Sequence, residues 1–177
     1  MSKYYSGKEI LLRSLWSVAE LFFRYSPRLF YGWRNMLLRI FGATIGKNVA
    51  IFPDAQITLP WLLSIGDNVV VAWNVRIYNL GRITIGSDTI ISQYAHLCGG
   101  THDFMSSDFT LLRTGLTIGS NVWIGADAFI GPRVNIGDNS IVAARAVVVK
   151  DVESNTIVAG NPARAVKSIQ KPVRIVR

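Results

Sequence analysis

An aliphatic residue at every sixth position is the dominant feature of this 177-residue sequence. Five segments contain the motif Thr/Ser/Asn-Ile-Gly, and their isoleucines are separated by 20, 20, 33 and 18 residues. In each segment the next two positions at intervals of six are aliphatic as well. The fifteen positions are Ile45, Ile51, Ile57, Ile65, Val71, Ile77, Ile85, Ile91, Leu97, Ile118, Ile124, Ile130, Ile136, Val142 and Val148. A lattice this regular is far beyond what chance placement of aliphatic residues would produce.

This period matches neither the turn of an α-helix nor the alternation of an ordinary β-strand. It predicts a solenoid whose coils of about 18 residues have three short flat sides, each with one aliphatic side chain pointing inward. Stacked coils pair strand on strand, so only the two end coils leave an edge uncovered. Glycine or alanine follows many of the inward residues, and we expect these small residues to let the chain bend. The predicted fold class is an all-β solenoid of about five coils.

Departures from the 18-residue coil locate insertions. The two spacings of 20 indicate two extra residues extruded at a corner, and the spacing of 33 indicates a long loop near residues 103–116. A long loop inside a compact fold is usually functional. We expect this loop to find no packing surface on its own three-sided prism.

The ends of the chain depart from the repeat and divide it into three parts. Residues 1–42 carry aromatic and leucine residues at roughly helical spacing, with Pro27 between two predicted helices that cap the open first coil. Residues 43–165 form the predicted β-helix with its inserted loop. Residues 166–177 are a basic tail, expected to be a short helix or strand after the turn Gly160-Asn161-Pro162.

Charge and cysteine content narrow the class of protein. The formal net charge is +8, but residues 1–42 and 130–177 each carry +5 while residues 43–129 carry −2. Two separate basic ends favour phosphorylated small molecules or an anionic membrane surface over nucleic acid, which needs a continuous basic face. The single cysteine, Cys98, excludes a disulfide framework and a cysteine-based zinc site. We therefore expect a cytoplasmic protein without secretory signal or spanning helix, with the inner face of the membrane as an alternative location.

Residues 1–42 support two interpretations. Aromatic residues beside cations suit an interfacial segment that lies on anionic lipid without spanning it. Alternatively, the aromatic residues only cap the end of the solenoid, while cations such as Arg24, Arg28 and Arg34 are solvated. Both interpretations can hold in part.

Three features together resemble the left-handed β-helix acyltransferases: the hexapeptide repeats, a histidine before a long loop, and the closing segment Ala-Gly-Asn-Pro-Ala-Arg. The galactoside/maltose acetyltransferase group is the most similar branch. Within it, FGATIG, ISQYAHLCGGTHDF and the aromatic, basic N-terminus resemble the colanic-acid-type O-acetyltransferases of surface polysaccharide synthesis. The resemblance spans residues 43–165. It implies a left-handed parallel β-helix, transfer of acetyl from acetyl-CoA to a sugar hydroxyl, no metal, and a homotrimer whose loop reaches over a neighbouring subunit.

His102 lies where this family has its catalytic histidine, in the segment Gly-Gly-Thr-His-Asp. Histidine side chains are partly unprotonated at neutral pH, which suits a general base. Such a base takes the proton of the acceptor hydroxyl during attack and returns it to the leaving thiolate. Direct transfer of this kind needs no serine or cysteine nucleophile.

The resemblance also places coenzyme A in a groove between adjacent subunits. Small residues there let the pantetheine arm approach the backbone, and basic residues meet the phosphates. Val149 stands at a position that is more commonly threonine in the family. Trp123 matches an aromatic residue that the family has near the thioester, or else it packs at an interface or a corner. The matching residues are Trp123, Ala126, Ala144, Val149, Lys150, Arg164 and Lys167.

The acceptor site departs from that of the galactoside enzymes. Ala72 and Leu80 stand where those enzymes have polar residues that fix the sugar, which argues against a simple galactoside. Asn74 and Asn79 are candidate substitutes, although asparagine is also favoured at solenoid corners. Asp103 is a third candidate: it orients His102, binds the sugar, or starts the loop.

Two other functions are compatible with the repeat. One is a non-catalytic scaffold held at the membrane by residues 1–42. The other is a zinc hydratase of the γ-carbonic anhydrase type, which needs three histidines. The second histidine, His96, leaves such a site one ligand short, and we expect it to be a corner residue.

Overall fold

The computed structural model describes residues 6–169, and in it the chain winds into a solenoid with three flat sides of parallel strands. The first side contains β1 (Thr44–Ile45), β4 (Leu63–Ile65), β7 (Ile83–Ile85), β12 (Leu116–Ile118) and β15 (Asn135–Ile136). The second contains β2 (Ala50–Ile51), β5 (Val70–Val71), β8 (Ile90–Ile91), β13 (Trp123–Ile124), β16 (Ile141–Val142) and β18 (Thr156–Ala159). The third contains β3 (Gln56–Ile57), β6 (Arg76–Tyr78), β9 (His96–Cys98), β14 (Phe129–Ile130) and β17 (Val147–Val148). The predicted β-solenoid is confirmed, with five coils and part of a sixth among the described residues.

The inward lattice predicted from the six-residue period forms the core. All fifteen aliphatic positions are buried, and none is more than 7% exposed. Corresponding positions stack directly between coils, as Ile45 does on Ile65 and Ile65 on Ile85. Burying each such side chain contributes about 1.5–3 kcal/mol. The core is therefore a column of aliphatic layers that runs the length of the solenoid.

The small residues after the inward positions have a different role from the predicted bending. A Cβ atom built on Gly125 would lie 2.5 Å from the backbone nitrogen of Ala144 in the next coil. Glycine is needed there because neighbouring coils approach closely. Tyr94, Arg133 and Arg145 make some of the bends, with φ between 60° and 65°. Most bends are made by asparagine and aspartate with φ between 53° and 60°, a conformation that these two residue types tolerate. These residues are Asn48, Asn68, Asn74, Asp88, Asn121, Asp127, Asn139 and Asn155.

Two helices, α1 (Gly7–Arg24) and α2 (Tyr31–Ile40), lie on either side of Pro27 and cover the first coil. In a parallel strand, alternate residues direct their peptide groups toward opposite neighbouring strands. Because no coil precedes the first one, the carbonyl groups on its outer edge have no backbone donor. Side chains of the helices supply these donors. The bonds run from Trp16 Nε1 to the Ile57 carbonyl (2.8 Å), Arg34 Nε to Ile51 (2.7 Å), Asn35 Nδ2 to Val49 (2.8 Å) and Arg39 Nη2 to Ile45 (2.9 Å).

Arg34 is the centre of this cap. Its side chain is fully buried, and besides Ile51 its guanidinium donates to Ser26 Oγ and to the carbonyls of Pro27 and Arg28. The interpretation of Arg34 as a solvated or membrane-facing cation was therefore wrong. Its charge is stabilised by hydrogen bonds to neutral oxygen atoms, which join the helices and their connection to the first coil.

The other end of the solenoid is covered by the chain itself. After β18 the chain turns at residues 160–163 and returns as β19 (Arg164–Ser168), which pairs antiparallel with β18. The Ala163 N–H donates to the Val147 carbonyl, and the Val147 N–H donates to the Gly160 carbonyl. The start of the predicted basic tail is thus a strand, and its last part, residues 170–177, lies outside the described residues.

Replacement of Arg34 tests the cap. Arg34→Gln should lower the free energy of unfolding by about 3 kcal/mol, because several buried carbonyls lose their donor at once. Thermal and urea unfolding followed by circular dichroism measures this change. The matched control is Arg24→Gln at the exposed end of α1, with an expected change below about 0.5 kcal/mol. Equal stability of the two variants would contradict this account of the cap.

Candidate active site

The insertion between the third and first sides forms a short hairpin. Strand β10 (Thr101–His102) pairs antiparallel with β11 (Leu111–Leu112), so that Thr101 lies opposite Leu112 and His102 opposite Leu111. The intervening residues project from the prism, with Phe104 79% and Met105 82% exposed. This hairpin corresponds to the loop predicted near residues 103–116, and it carries His102 into solvent.

The His102 ring is held by the backbone of its own hairpin. Its Nδ1 atom lies 2.5 Å from the carbonyl oxygen of Phe109. Since a carbonyl can only accept, Nδ1 carries the proton in this contact, and in the neutral ring Nε2 then presents a lone pair. Phe109 adopts φ 46°, a left-handed conformation that costs a residue with a side chain about 1–2 kcal/mol. Backbone strain of this kind is typical of functional loops.

Asp103 begins the turn of the hairpin. Its carboxylate accepts the Met105 N–H at 3.0 Å, and its own N–H donates to the Thr110 carbonyl at 2.9 Å. Of the three roles left open by the sequence, these contacts correspond to starting the loop. The group that orients His102 is the Phe109 carbonyl, and no sequence pattern predicted this contact.

The base of the hairpin is tied to the cap. Arg113 donates to both carboxylate oxygens of Glu9 in α1, at 2.9 and 3.2 Å, and Arg13 also contacts Glu9. Burial by itself would raise the pKa of Glu9, but the hydrogen bonds and charges of Arg113 and Arg13 outweigh burial and lower it. The carboxylate is therefore ionised at neutral pH. The loop was expected to find no packing surface on the three-sided prism, and the partner that anchors its base is α1, outside the prism.

The residues assigned to coenzyme A occupy the C-terminal half of the solenoid. Ala126 and Ala144 lie at the same corner of successive coils, between the second and third sides, where the Arg145 N–H donates to the Ala126 carbonyl at 2.8 Å. Lys150 and Arg164 line one groove of about 450 Å³ between the last coil and β19. Two basic side chains therefore line this groove, together with the acidic side chains of Asp151 and Glu153.

Three other predicted residues lie around these. Val149 is 53% exposed and precedes Lys150, at the same corner as the His102 hairpin but two coils further on. Lys167 is exposed on β19, opposite Ile157. Trp123 is 48% exposed on the second side, and its indole N–H donates to Ser92 Oγ at 2.9 Å. One chain thus places Trp123 beside the corner that holds the small residues, and Val149 and Lys150 at a different corner.

The two asparagines predicted to touch substrate differ in position. Asn79 is fully buried; its amide donates to the Leu59 carbonyl and accepts the N–H groups of Thr58 and Leu59. The assignment of Asn79 to the substrate site was therefore wrong, because the side chain instead fixes the corner where the extra residues are extruded. Asn74 is half-buried at a corner with φ 56°.

The sequence suggested a corner position for His96, but the structure places this residue in a strand. It lies in β9 on the third side, with its ring edge-on to Tyr78 and Phe129 at centroid distances of 6.4 and 5.4 Å. Burial, and to a smaller degree the charge of Arg76, lowers the pKa of His96, so the ring is neutral at neutral pH. A groove of about 310 Å³ on this side is lined by Gln56, Thr58, Arg76, Ile77, Tyr78, His96 and Cys98. Sequence reasoning missed this groove, although its polar members flank inward positions of the lattice and so must point outward.

Within residues 6–169 of one chain, no three histidine, cysteine, aspartate or glutamate side chains lie close enough together to hold a metal ion.

Comparison with known proteins relates the chain to acetyltransferases. The family described as bacterial transferase hexapeptide (six repeats) matches residues 115–150. Over 161 residues, the chain is 44% identical to WcaF of Escherichia coli strain K12, whose name describes an acetyltransferase of colanic acid biosynthesis. This match covers 91% of the chain and 88% of WcaF.

Two solved structures share the fold along nearly the whole chain. One is a hexapeptide-repeat acetyltransferase of Vibrio cholerae complexed with acetyl coenzyme A, with a TM-score of 0.85 and 28% identity, covering 94% of this chain and 91% of that one. The other is a galactoside acetyltransferase in complex with coenzyme A, with a TM-score of 0.87 and 28% identity, covering 96% of this chain and 86% of that one.

Proposed function

Because this chain belongs to the hexapeptide-repeat acetyltransferases, which fold as left-handed β-helices, we propose that it acetylates a sugar hydroxyl of a surface-polysaccharide precursor with His102 as general base. Acetyl-CoA is the donor. The observation that carries the catalytic role is the contact between His102 Nδ1 and the Phe109 carbonyl, which leaves Nε2 free to accept a proton on an exposed hairpin. The similarity to WcaF supports a polysaccharide precursor as the acceptor.

The proposed reaction is a direct transfer. Nε2 of His102 accepts the proton of the acceptor hydroxyl as its oxygen attacks the thioester carbonyl carbon. The Phe109 carbonyl accepts a hydrogen bond from Nδ1–H and so stabilises the imidazolium that forms. When the carbon–sulfur bond breaks, His102 returns the proton to the leaving thiolate, so the histidine ends in its starting state.

The donor-binding residues are proposed from the chemistry of the surface. Ala126 and Ala144 leave the corner low enough for a pantetheine arm to reach the backbone. Lys150 and Arg164 provide cations for phosphate groups in the groove beside β19. Val149, Lys167 and the fixed indole of Trp123 complete the proposed contacts. On the acceptor side, Asn74 and Asp103 are proposed to line the approach to His102.

Replacement of His102 tests the mechanism. His102→Ala should lower kcat by about 10²-fold or more, because a positioned general base contributes at least that much. Release of free thiol from acetyl-CoA in the presence of glycan acceptors measures kcat, and calorimetry with coenzyme A measures donor binding. The donor affinity and melting temperature of His102→Ala should equal those of the wild type. Lys47→Gln, which changes an exposed residue at a corner, is the control and should match the wild type in rate, donor affinity and melting temperature. A His102→Ala enzyme with half the normal rate would remove this residue from the mechanism.

A homotrimer is proposed as the active form. Ala126 and Ala144 lie at the corner between the second and third sides, whereas Val149 and Lys150 lie at the corner between the third and first sides, so we infer that residues of two chains surround one donor. The hairpin tip, with Phe104 79% exposed, offers an apolar contact that its own chain does not cover. A tip that packs on a neighbouring subunit accounts for both features.

Light scattering of the full-length protein should give about three times its mass of 19.6 kDa. Phe104→Asp should shift the mass toward that of a monomer and lower the rate, because it places a charge in the subunit contact. Leu11→Gln, which removes an apolar residue of the cap that is 60% exposed, should leave the trimer intact. A fully active monomer would contradict the shared site.

The outer face of the two helices is proposed to dock on an anionic membrane. Trp33 Nε1 donates to the Phe22 carbonyl, which joins the exposed residues of both helices into one surface, here called the cap face. Apolar surfaces of this extent usually mark an interaction site. The cap face consists of Leu11, Leu15, Val18, Phe22, Tyr25, Leu29, Phe30, Trp33, Met36 and Ile40, each at least 40% exposed.

Charge favours a membrane over a second copy of the chain. Lys8, Arg24 and Arg28 are exposed beside the cap face, whereas Glu9 is engaged by Arg113. Two copies would bring like charges together, while anionic lipid complements them. No helix within residues 6–169 is both long and apolar enough to cross a bilayer. The proposed contact is therefore interfacial, at the cytoplasmic leaflet where acetyl-CoA is available.

Vesicle flotation tests this docking. The protein should float with vesicles that contain phosphatidylglycerol, and added salt should weaken binding. Val18→Gln with Phe22→Gln should abolish flotation, and Lys8→Gln with Arg24→Gln should reduce it, without a fall in melting temperature. Val166→Gln removes an exposed valine outside the cap face and is the control. The proposal would be overturned if the cap-face and charge variants floated as well as the wild type. It would also be overturned if the wild-type protein doubled its mass in solution and these variants did not.

A further inference from the structure

The groove on the third side has a regular construction. Its walls are two rows of outward side chains, one formed by Gln56, Arg76 and His96 and the other by Thr58, Tyr78 and Cys98. Members of a row belong to successive coils and are about 4.8 Å apart, and the rows are about 6.6 Å apart along the strands. The groove therefore presents a ladder of polar groups around an aromatic ring.

Arg76 is the charged group of this groove. Its guanidinium is exposed, and within residues 6–169 it has no hydrogen bond or ion pair. None of the seven lining residues is acidic. Unpaired cations in a concave site attract anions, and guanidinium groups bind carboxylate and phosphate through paired hydrogen bonds.

Tyr78 and His96 give the groove the features of a saccharide site. Tyr78 is 39% exposed, and its ring is fixed edge-on against His96. An aromatic surface beside hydroxyl, amide and imidazole groups suits a ring whose faces are apolar and whose rim carries hydroxyls. The neutral imidazole can both donate and accept a hydrogen bond.

The groove leads toward the catalytic hairpin at one end. Cys98 lines the groove, and its thiol donates to the Gly100 carbonyl, two residues before His102. At the other end, Gln56 and Thr58 also line a second groove of about 320 Å³ under α1, where Arg13, Glu20 and Arg24 contribute charged groups. The two grooves thus adjoin at Gln56 and Thr58.

We propose that this third-side groove binds the acceptor saccharide and that Arg76 selects acceptors with a negative charge, a carboxylate or a phosphate. This inference rests on the proposed acetyl transfer and adds the class of acceptor. Arg76 is a specificity residue that touches the acceptor's anionic group, Tyr78 is the stacking surface, and His102 acts on the hydroxyl that reaches the hairpin end.

Equilibrium binding tests the groove separately from catalysis. Calorimetry of the full-length protein at low salt compares three probes: a glucuronic-acid-containing disaccharide, its carboxyl-reduced counterpart and glucose 1-phosphate. The wild-type protein should bind the acidic disaccharide about tenfold or more tightly than the reduced one, the effect of one charge-assisted hydrogen bond. Arg76→Gln should abolish this preference, Arg76→Lys should keep part of it, and Lys47→Gln, a charge loss at a distant corner, should not change it.

Further variants separate the possible failures. Tyr78→Ala should weaken the acidic and neutral disaccharides by similar factors, and His102→Ala should bind both normally. Tighter binding of glucose 1-phosphate than of the acidic disaccharide would identify phosphate as the recognised group, and the reverse order would identify carboxylate. Equal wild-type affinity for acidic and neutral disaccharides, or no binding of any probe at millimolar concentration, would overturn the groove assignment. His102-dependent acetyl transfer would survive that result, whereas selective binding without any transfer would overturn the proposed function alone.

Discussion

Pairing of peptide groups between successive coils is the interaction on which the structure depends. Each of the five complete coils contributes only two or three residues to a strand, too few to hold together without a neighbour on each side. The first coil lacks one neighbour, and a buried carbonyl without a donor costs about 1–3 kcal/mol. The cap removes this cost with the indole of Trp16, the amide of Asn35 and the guanidiniums of Arg34 and Arg39.

Close stacking of the coils also decides where the chain can carry function. A flat side cannot accept an extra residue, because its inward side chains stack in register from coil to coil. A corner can, and the third corner does so three times: at the buried turn held by Asn79, at the preceding turn around Pro60, and at the hairpin that presents His102. The proposed catalytic base, His102, therefore lies on an insertion that leaves the core unchanged, and the ion pair of Glu9 with Arg113 fastens this insertion to the cap.

The proposed contacts place the two substrates toward opposite ends of the solenoid. Coenzyme A is assigned to the C-terminal coils, where Lys150 and Arg164 share a groove, and the acceptor to the N-terminal coils around Arg76. His102 lies between the two regions along the chain. The acceptor groove adjoins the groove under α1, whose outer face is apolar and flanked by cations. A precursor presented at a membrane surface would thus enter from the cap end, while a soluble donor reaches the opposite end.

The sequence by itself determined the solenoid, its inward lattice, the two helices around Pro27 and the position of the loop, because these follow from local periodicity and its interruptions. Coil stacking, which periodicity does not describe, decided that the glycines permit close approach and that asparagine and aspartate make the bends. Tertiary structure likewise decided which polar side chains face inward: Arg34 and Asn79 are fully buried, although their residue types suggested a solvated cation and a substrate contact. It also joined residues far apart in sequence, such as Gln56, Arg76 and His96 in one groove, and gave His102 a backbone partner seven residues away. Such pairings arise only when coils stack and a hairpin closes, so the spacing of residues along the chain does not encode them.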